Sequence, residues 1–396
     1  MSAITCLPSR LDTDVISELT HTGDASLVVR RCADMAEVLA AARARIASVA
    51  IIAEDVDFLD ATLLSDLRQY LAVAIVVGTG SARSIDVRSL GSVEVFSPHA
   101  ADIANRIRAS AGSHEYVPSF LDDDADRDVS KGAFVAFWGP FGSHGRSCLV
   151  RDSAAILSKE HDVIVVDADS MAPSLAQVFD VDESSDLIGL ARMIDQGRKI
   201  ELELCVTRPV SSFGNVRLVT GMNTGQRWRE VSRPVADRLW PLLGSGSDLV
   251  LADVTGGMDE RAERVDRWAL SRSAMDSADA LIHVASATPS GLRRLIEHFD
   301  ELRDRESGRD AIVLTGVRSS ALGVGPLAQA RDVLDTVGIG DVPVFGVREE
   351  RSILDKALID AQAVPYARPK CGYTKDVGRI CEWIKDRMRV CASISH

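Results

Sequence analysis

Residues Phe134 to Leu157 read FVAFWGPFGSHGRSCLVRDSAAIL: an apolar run, a loop carrying Gly139, Gly142 and Gly145, then a stretch of helical composition. A short unbroken apolar run is a strand buried on both faces. A glycine loop between such a strand and a helix gathers backbone N–H groups and the positive end of a helix dipole at one point. That layout commits this part of the chain to an open, mostly parallel α/β sheet with an anion site beyond the strand's C-terminal end. Strand Gly132–Trp138 and helix Leu149–Lys159 are expected on its two sides.

The loop departs from the P-loop pattern G-x-x-x-x-G-K-[ST]. Counting back from Gly145, Pro140 holds the first glycine's place and Gly139 comes one residue too early. Arg146 replaces the lysine, Ser147 keeps the hydroxyl position, and Cys148 stands where a second threonine is common. A P-loop works through backbone amides around the phosphates, a lysine that neutralises charge, and a hydroxyl on Mg²⁺. Pro140 removes one N–H from such a cradle. Arg146 keeps the charge on a planar, bulkier head. Taken alone, the glycines also fit a plain tight turn.

Acids recur at the ends of later apolar runs. HDVIVVDADS ends on Asp167 and Asp169, and GSDLVLADVTGG on Asp253, then Gly256 and Gly257. Carboxylates at strand C-termini of an open sheet face the ligand crevice, where they hold Mg²⁺-bound water or orient an attacking water. The bland alternatives are helix caps for Asp167 and Asp169 and a solvated turn acid for Asp253. Further strand and helix patterns follow in ALIHVASATPSGLRRLIEHF, DAIVLTGVRS and VPVFGVREERSILDKALIDAQAV.

The first 112 residues alternate differently. Strands are expected at Ala3–Leu7, Ser26–Arg30, Ser48–Ile52, Val73–Val77 and Ser92–Phe96. Helical patterns lie between them at Leu11–Leu19, Met35–Ala47, Ala61–Leu71 and Ala101–Ser110. Five strands alternating with helices predict a flavodoxin-like domain similar to a response-regulator receiver. The phosphorylation chemistry of a receiver is missing. CLPSRLD after the first strand has no immediate acidic pair, and Ala53 or Glu54 stands near the acceptor position. Thr79 suits the hydroxyl role, but the fifth strand runs into Ser97-Pro98 without a lysine. Dimerisation or docking is the expected role, with Glu54, Asp55 and Asp57 as a solvated loop.

Ser113 to Lys131 carries Pro118 and an acid run from Asp122 to Asp128 without apolar periodicity, as a linker does. The expected organisation is thus a receiver-like domain over 1–112, an acidic linker over 113–131 and a P-loop domain over 132–396.

Bulk properties exclude other classes. At 396 residues the chain exceeds one compact core. With 58 acids against 45 bases and a net charge of −13, it lacks a broad nucleic-acid footprint. Seven scattered cysteines without ligand spacing read as reduced cytoplasmic thiols. No signal peptide and no membrane-spanning run is expected, so membrane contact would be peripheral. Arg227, Arg229, Arg233 and Arg238 surround Trp228 and Trp240, and the plain reading is a surface helix with inward tryptophans. TKDVGRICEWIKDRMRV near the end has helical periodicity and is expected to pack on the sheet rather than on a membrane.

In order and spacing, FWGPFGSHGRSC, VDADS and VRLVTGMNTGQRW resemble the MinD/ParA superfamily of deviant P-loop ATPases, and more closely its CpaE/TadZ-like branch, which joins a receiver-like domain to a MinD-like domain. The resemblance implies ATP and Mg²⁺ as cofactors and a homodimer that helps localise a Flp/Tad pilus or secretion machine, with possible recruitment to the membrane's inner face, a pole or the septum. By the same resemblance, Gly142, Ser143, His144, Gly145, Arg146, Ser147 and Cys148 surround the phosphates, and Thr315 and Arg351 lie near the base. Ser147, Asp167 and Asp253 are the implied metal ligands and Asp169 the water-orienting catalytic acid. Phe141 stands where the superfamily's signature lysine crosses to the partner subunit. Phe141 and Arg146 together imply weak hydrolysis or a pseudo-ATPase. A septum-site or partition regulator with a true ATP cycle, and a nucleotide-free dimeric scaffold, are the alternatives.

Overall fold

A computed structural model describes residues 2–57, 59–71, 73–78, 94–96, 98–112, 132–258, 266–301 and 309–394. Thr79, Ser97 and the acidic segment Ser113 to Lys131 lie outside the described residues. The chain divides into two units. One comprises Met1–Asp128 with Arg192–Ile200, the other Val129–Ala191 with Glu201–His396.

In the first unit, strands β1 (Ala3–Cys6), β2 (Val28–Arg31), β3 (Val49–Ala53), β4 (Val73–Val77) and β5 (Glu94–Phe96) pair in the order β2-β1-β3-β4-β5. Every pairing is parallel. Helices α1 (Ser9–His21), α2 (Met35–Arg43) and α3 (Ala61–Arg68) make the crossovers from β1 to β4, and α4 (Ala100–Gly112) follows β5. This is the flavodoxin-like order. Strand β3 is buried throughout because helices cover both faces, which is why VAIIA carries no polar alternation. Helix α2 starts at an aspartate cap: the Asp34 side chain accepts from Glu37 N at 2.8 Å, and the Glu37 carboxylate accepts from Ala33 N, the residue before the cap, at 3.2 Å. Strand β2 begins later than its apolar run suggests, because Ala25–Leu27 turn as a short 3₁₀ helix. Asp12, the first acid after β1, is buried, accepts from Thr5 Oγ1 at 2.7 Å and pairs with Arg31.

The second unit holds strands β6 (Ala133–Trp138), β7 (Val163–Ala168), β8 (Val216–Val219), β9 (Leu249–Val254), β10 (Ala280–Ser286), β11 (Asp310–Val317) and β12 (Val344–Arg348). Its helices include α5 (Arg146–Leu157), α6 (Leu175–Val178), α7 (Asp186–Asp195, whose residues from Arg192 on count with the first unit), α8 (Arg233–Ser245), α9 (Ala269–Ser277), α10 (Pro289–Glu301), α11 (Ser319–Leu322), α12 (Pro326–Thr336), α13 (Arg351–Ile359), α14 (Val364–Ala367) and α15 (Gly372–Ile394). The strand order is β12-β11-β10-β6-β9-β7-β8, and all its pairings are parallel. From β6 the chain skips a place to β7 and β8, returns to fill the gap with β9, then crosses to β10 on the other side. The C-terminal end of β6 is therefore the topological switch point, where open α/β sheets leave a crevice.

Helix α15 seals the core on one face. Val377, Ile380, Cys381 and Ile384 are fully buried, so its apolar stripe packs inside the unit. Tyr373 O–H, at its start, donates to Asp152 Oδ2 at 2.8 Å, and Arg151 pairs with the same buried carboxylate at 2.9 Å. In the arginine-rich segment, Trp240 is buried and stacks on Phe134 at 4.6 Å. Arg227 pairs with Glu230, Arg233 with Asp237 and Asp276, and Arg229 lies over the Trp228 ring.

Candidate functional site

Helix α5 begins at Arg146, one turn earlier than its hydrophobic pattern suggests. Polar Arg146, Ser147 and Cys148 occupy its first turn and hide the start from a reading of apolar spacing. Gly145 is its N-cap at φ 87°, in the left-handed region that glycine enters without strain, and Gly142 has φ 78°. No side chain caps the helix. Its first-turn N–H groups, which have no partner inside a helix, are left at the loop. The loop is braced by its neighbours. Thr315 Oγ1, on β11, donates to His144 O at 2.7 Å, and Ser143 Oγ donates to Pro140 O at 2.6 Å. Gly257 N donates to Gly139 O at 2.8 Å, and the Phe141 ring packs edge-on against Trp268 at 5.8 Å.

The three strand-end acids converge. Asp167 and Asp253 sit directly opposite each other on β7 and β9. Both are buried. Arg146 turns its guanidinium to this group: Nε donates to Asp253 Oδ1, and Nη2 donates to Asp169 Oδ2 at 2.8 Å. Burial alone would lower the Arg146 pKa, but the charges of Asp253 and Asp169 outweigh it and hold it above the usual value. Arg146 thus acts as an internal counter-ion rather than a cation presented to the loop.

The acids are otherwise committed to backbone. Asp167 Oδ2 accepts from Ser174 N and Leu175 N at 2.9 and 2.8 Å, capping the turn into α6. Its Oδ1 accepts from Asp169 N at 3.3 Å. Burial, with the Asp253 charge opposite, pushes the Asp167 pKa up to about 8. Asp169 Oδ1 accepts from Met171 N and Ala172 N, both at 2.9 Å. Asp253 Oδ2 is buried without a hydrogen-bond partner.

The expected residues therefore divide. Gly142, Ser143, His144, Gly145, Ser147 and Cys148 do form one loop and helix start, and Thr315 joins them through His144. Arg146 belongs to the acids instead. Cys148 is half-buried, and burial raises its thiol pKa. Arg351 is exposed and paired with Glu349 at 2.6 Å, and among the described residues no hydrogen bond or ion pair joins it to the loop. The expected metal ligands are differently engaged: Asp167 caps a turn, Asp253 holds Arg146, and Ser147 Oγ accepts from Ser174 Oγ at 3.1 Å. Among the described residues, no group of three or more His, Cys, Asp or Glu side chains is arranged to hold a metal ion. The set does not fit Mg²⁺, because a guanidinium already sits where a dication would balance these acids. The catalytic expectation for Asp169 meets the same obstacle, since both its oxygens are taken.

Sequence reading missed Arg294, on α10, whose Nη1 donates to Phe141 O at 3.2 Å. Its signal was an arginine shortly after the end of β10, the strand beside β6. It also missed Ser174, which ties α6 to Ser147.

No protein-family model and no curated protein matches the sequence. Solved structures do match in fold. A ParA family ATPase from Chlorobium tepidum is 19% identical, with a TM-score of 0.51 over 63% of this chain and 98% of that one. The septum site-determining protein MinD from Pyrococcus horikoshii, complexed with Mg-ADP, is 18% identical, with a TM-score of 0.50 over 64% of this chain and 96% of that one. An ATP complex of a McdA variant from Cyanothece is 18% identical, with a TM-score of 0.50 over 65% and 97%. The matched share is about that of the second unit. At these identities the likeness shows the fold alone, the open parallel α/β sheet that these structures share.

Proposed function

We propose that this chain is a nucleotide-binding spatial organiser whose P-loop site binds ATP or ADP but hydrolyses it slowly or not at all. The observation that carries this reading is the double contact of Arg146 with Asp169 and Asp253. A competent site of this kind needs a cation on the transferred phosphate and free acids around metal and water. Here the loop's own cation neutralises those acids. The glycine cradle and the uncapped start of α5 still offer backbone donors to phosphate. Binding survives in such a site while catalysis is lost.

The motif order, together with a flavodoxin-like first unit, supports a CpaE/TadZ-like role, localising a pilus or secretion machine. The first unit then serves for docking or dimerisation, since the acids of a phosphorylated receiver are absent or, like Asp12, internally paired. No helix among the described residues is long and apolar enough to cross a membrane. A single-turnover assay with Mg-ATP tests the reading. The expected result is bound nucleotide without hydrolysis above background. Clear turnover that disappears in Asp169→Ala overturns it, and absence of any nucleotide binding leaves a nucleotide-free scaffold.

A further inference from the structure

A cleft of about 230 Å³ opens beside the glycine loop, between Pro140–His144 and the start of α10. Its lining among the described residues includes Arg294, His144 and the hydroxyl residues Ser143, Ser286, Thr288 and Ser290, and none of these described residues is a carboxylate. In a chain with net charge −13, a set of described lining residues that carries an arginine and hydroxyls but no acid is a local reversal of sign. The Arg294 head is poised against the loop. A Cβ on Gly142 would come within 2.7 Å of its Nη1, so the glycine admits the guanidinium. Among the described residues its hydrogen bond there goes to a carbonyl, Phe141 O, and the group is exposed. The cation that the P-loop pattern places after the last glycine is withdrawn to Asp169 and Asp253.

We infer that Arg294 has taken over the phosphate-facing charge of this site, so that a nucleotide's polyphosphate chain is held between the glycine loop and α10 without a metal ion. This rests on the reading of the site as a nucleotide site. The division of labour is physical. Arg146 is buried among carboxylates and cannot leave them without stranding their charge. Arg294 is exposed, bidentate in geometry and free to turn from a carbonyl to a phosphate oxygen. Thr288 Oγ1 already accepts from Gly291 N, at 3.1 Å, which holds the start of α10 in place.

Calorimetric titration of the full chain with ATP in EDTA tests the inference, with Arg293→Gln, on the same helix, as control. The wild type is expected to bind ATP in EDTA, and tripolyphosphate to compete with it. Arg294→Gln is expected to weaken ATP by about tenfold or more, the effect of one charge-assisted hydrogen bond. Arg293→Gln is expected to match the wild type, because Arg293 pairs with Glu297 in solvent. Equal binding by Arg294→Gln and wild type overturns the inference and leaves the nucleotide site standing. Binding that requires Mg²⁺, or tripolyphosphate that fails to compete, also overturns it. A wild type that binds no nucleotide with or without Mg²⁺ removes the underlying reading itself.

Discussion

Arg146 Nη2 donates to Asp169 Oδ2 at 2.8 Å, inside the protein and away from the loop that Arg146 terminates. The same guanidinium also holds Asp253, whose side chain is wholly buried. Together these contacts make the residue a structural ion as well as a part of the site. Replacing Arg146 with Gln leaves buried carboxylates without a counter-charge, which costs about 3–5 kcal/mol when one partner of a buried pair is removed. Arg146→Lys keeps the charge but not the forked geometry and is expected to lose less. Urea unfolding of the two variants at pH 7 gives the ranking. Equal stability of Arg146→Gln and wild type would contradict the counter-ion role.

Asp167 predicts a pH trend of unusual sign. Its pKa is pushed up to about 8 by burial and by the charge of Asp253. An ordinary aspartate titrates near 3.9, so between about 4 and 8 the folded state holds a proton that the unfolded chain has released. Stability from this group falls as pH rises through that window. Asp167→Asn mimics the protonated form, and its melting temperature should gain on the wild type between pH 5 and pH 8. Parallel melting curves across that range would refute the assignment.

His298 supplies the opposite trend. Its ring lies against Trp138 with centroids 3.7 Å apart, beside His283, which holds Asp310 at 3.0 Å. Burial and the neighbouring His283 lower its pKa to about 4. An unfolded histidine titrates near 6.5, so this contribution is present above pH 6.5 and is lost as pH falls towards 4. The loss is on the order of 2 kcal/mol after allowance for solvent screening. His298→Phe should flatten the denaturation midpoint between pH 4.5 and 6.5, measured against wild type in the same buffers.

Phe141 and Gly257 make a steric pair. Gly257 has φ 73°, and a Cβ there would meet the Phe141 ring at 2.3–2.4 Å. Gly257→Ala is expected to destabilise by about 1–3 kcal/mol through backbone strain and overlap together. In Gly257→Ala with Phe141→Ala, the overlap disappears and only the backbone cost stays. A double-mutant cycle by thermal unfolding separates the two, and strictly additive effects would show that the ring does not press on this glycine.

How far the sequence carried can be judged at particular residues. Unbroken apolar runs such as VAIIA and AFVAFW placed the central strands, because both sheet faces are covered and periodicity has nothing to hide. Boundaries moved where polar residues opened a helix, as at Arg146, or where a 3₁₀ turn intervened, as at Ala25–Leu27. Spacing placed Asp167, Asp169 and Asp253 at strand ends, but not the direction in which Arg146 faced.

The sequence by itself determined the α/β alternation, the glycine loop and the acids that end the strands, since these depend on local propensity and on pattern along the chain. Only the tertiary structure decided what the charges do. Parallel pairing of β7 with β9 sets Asp167 against Asp253 in register, and burial then demands a counter-ion for residues far apart in sequence. Arg146 meets that demand, and Arg294 is left facing the loop. Which of two arginines stays with the buried acids and which faces the loop is a question of distance and desolvation, and neither is written in the order of residues.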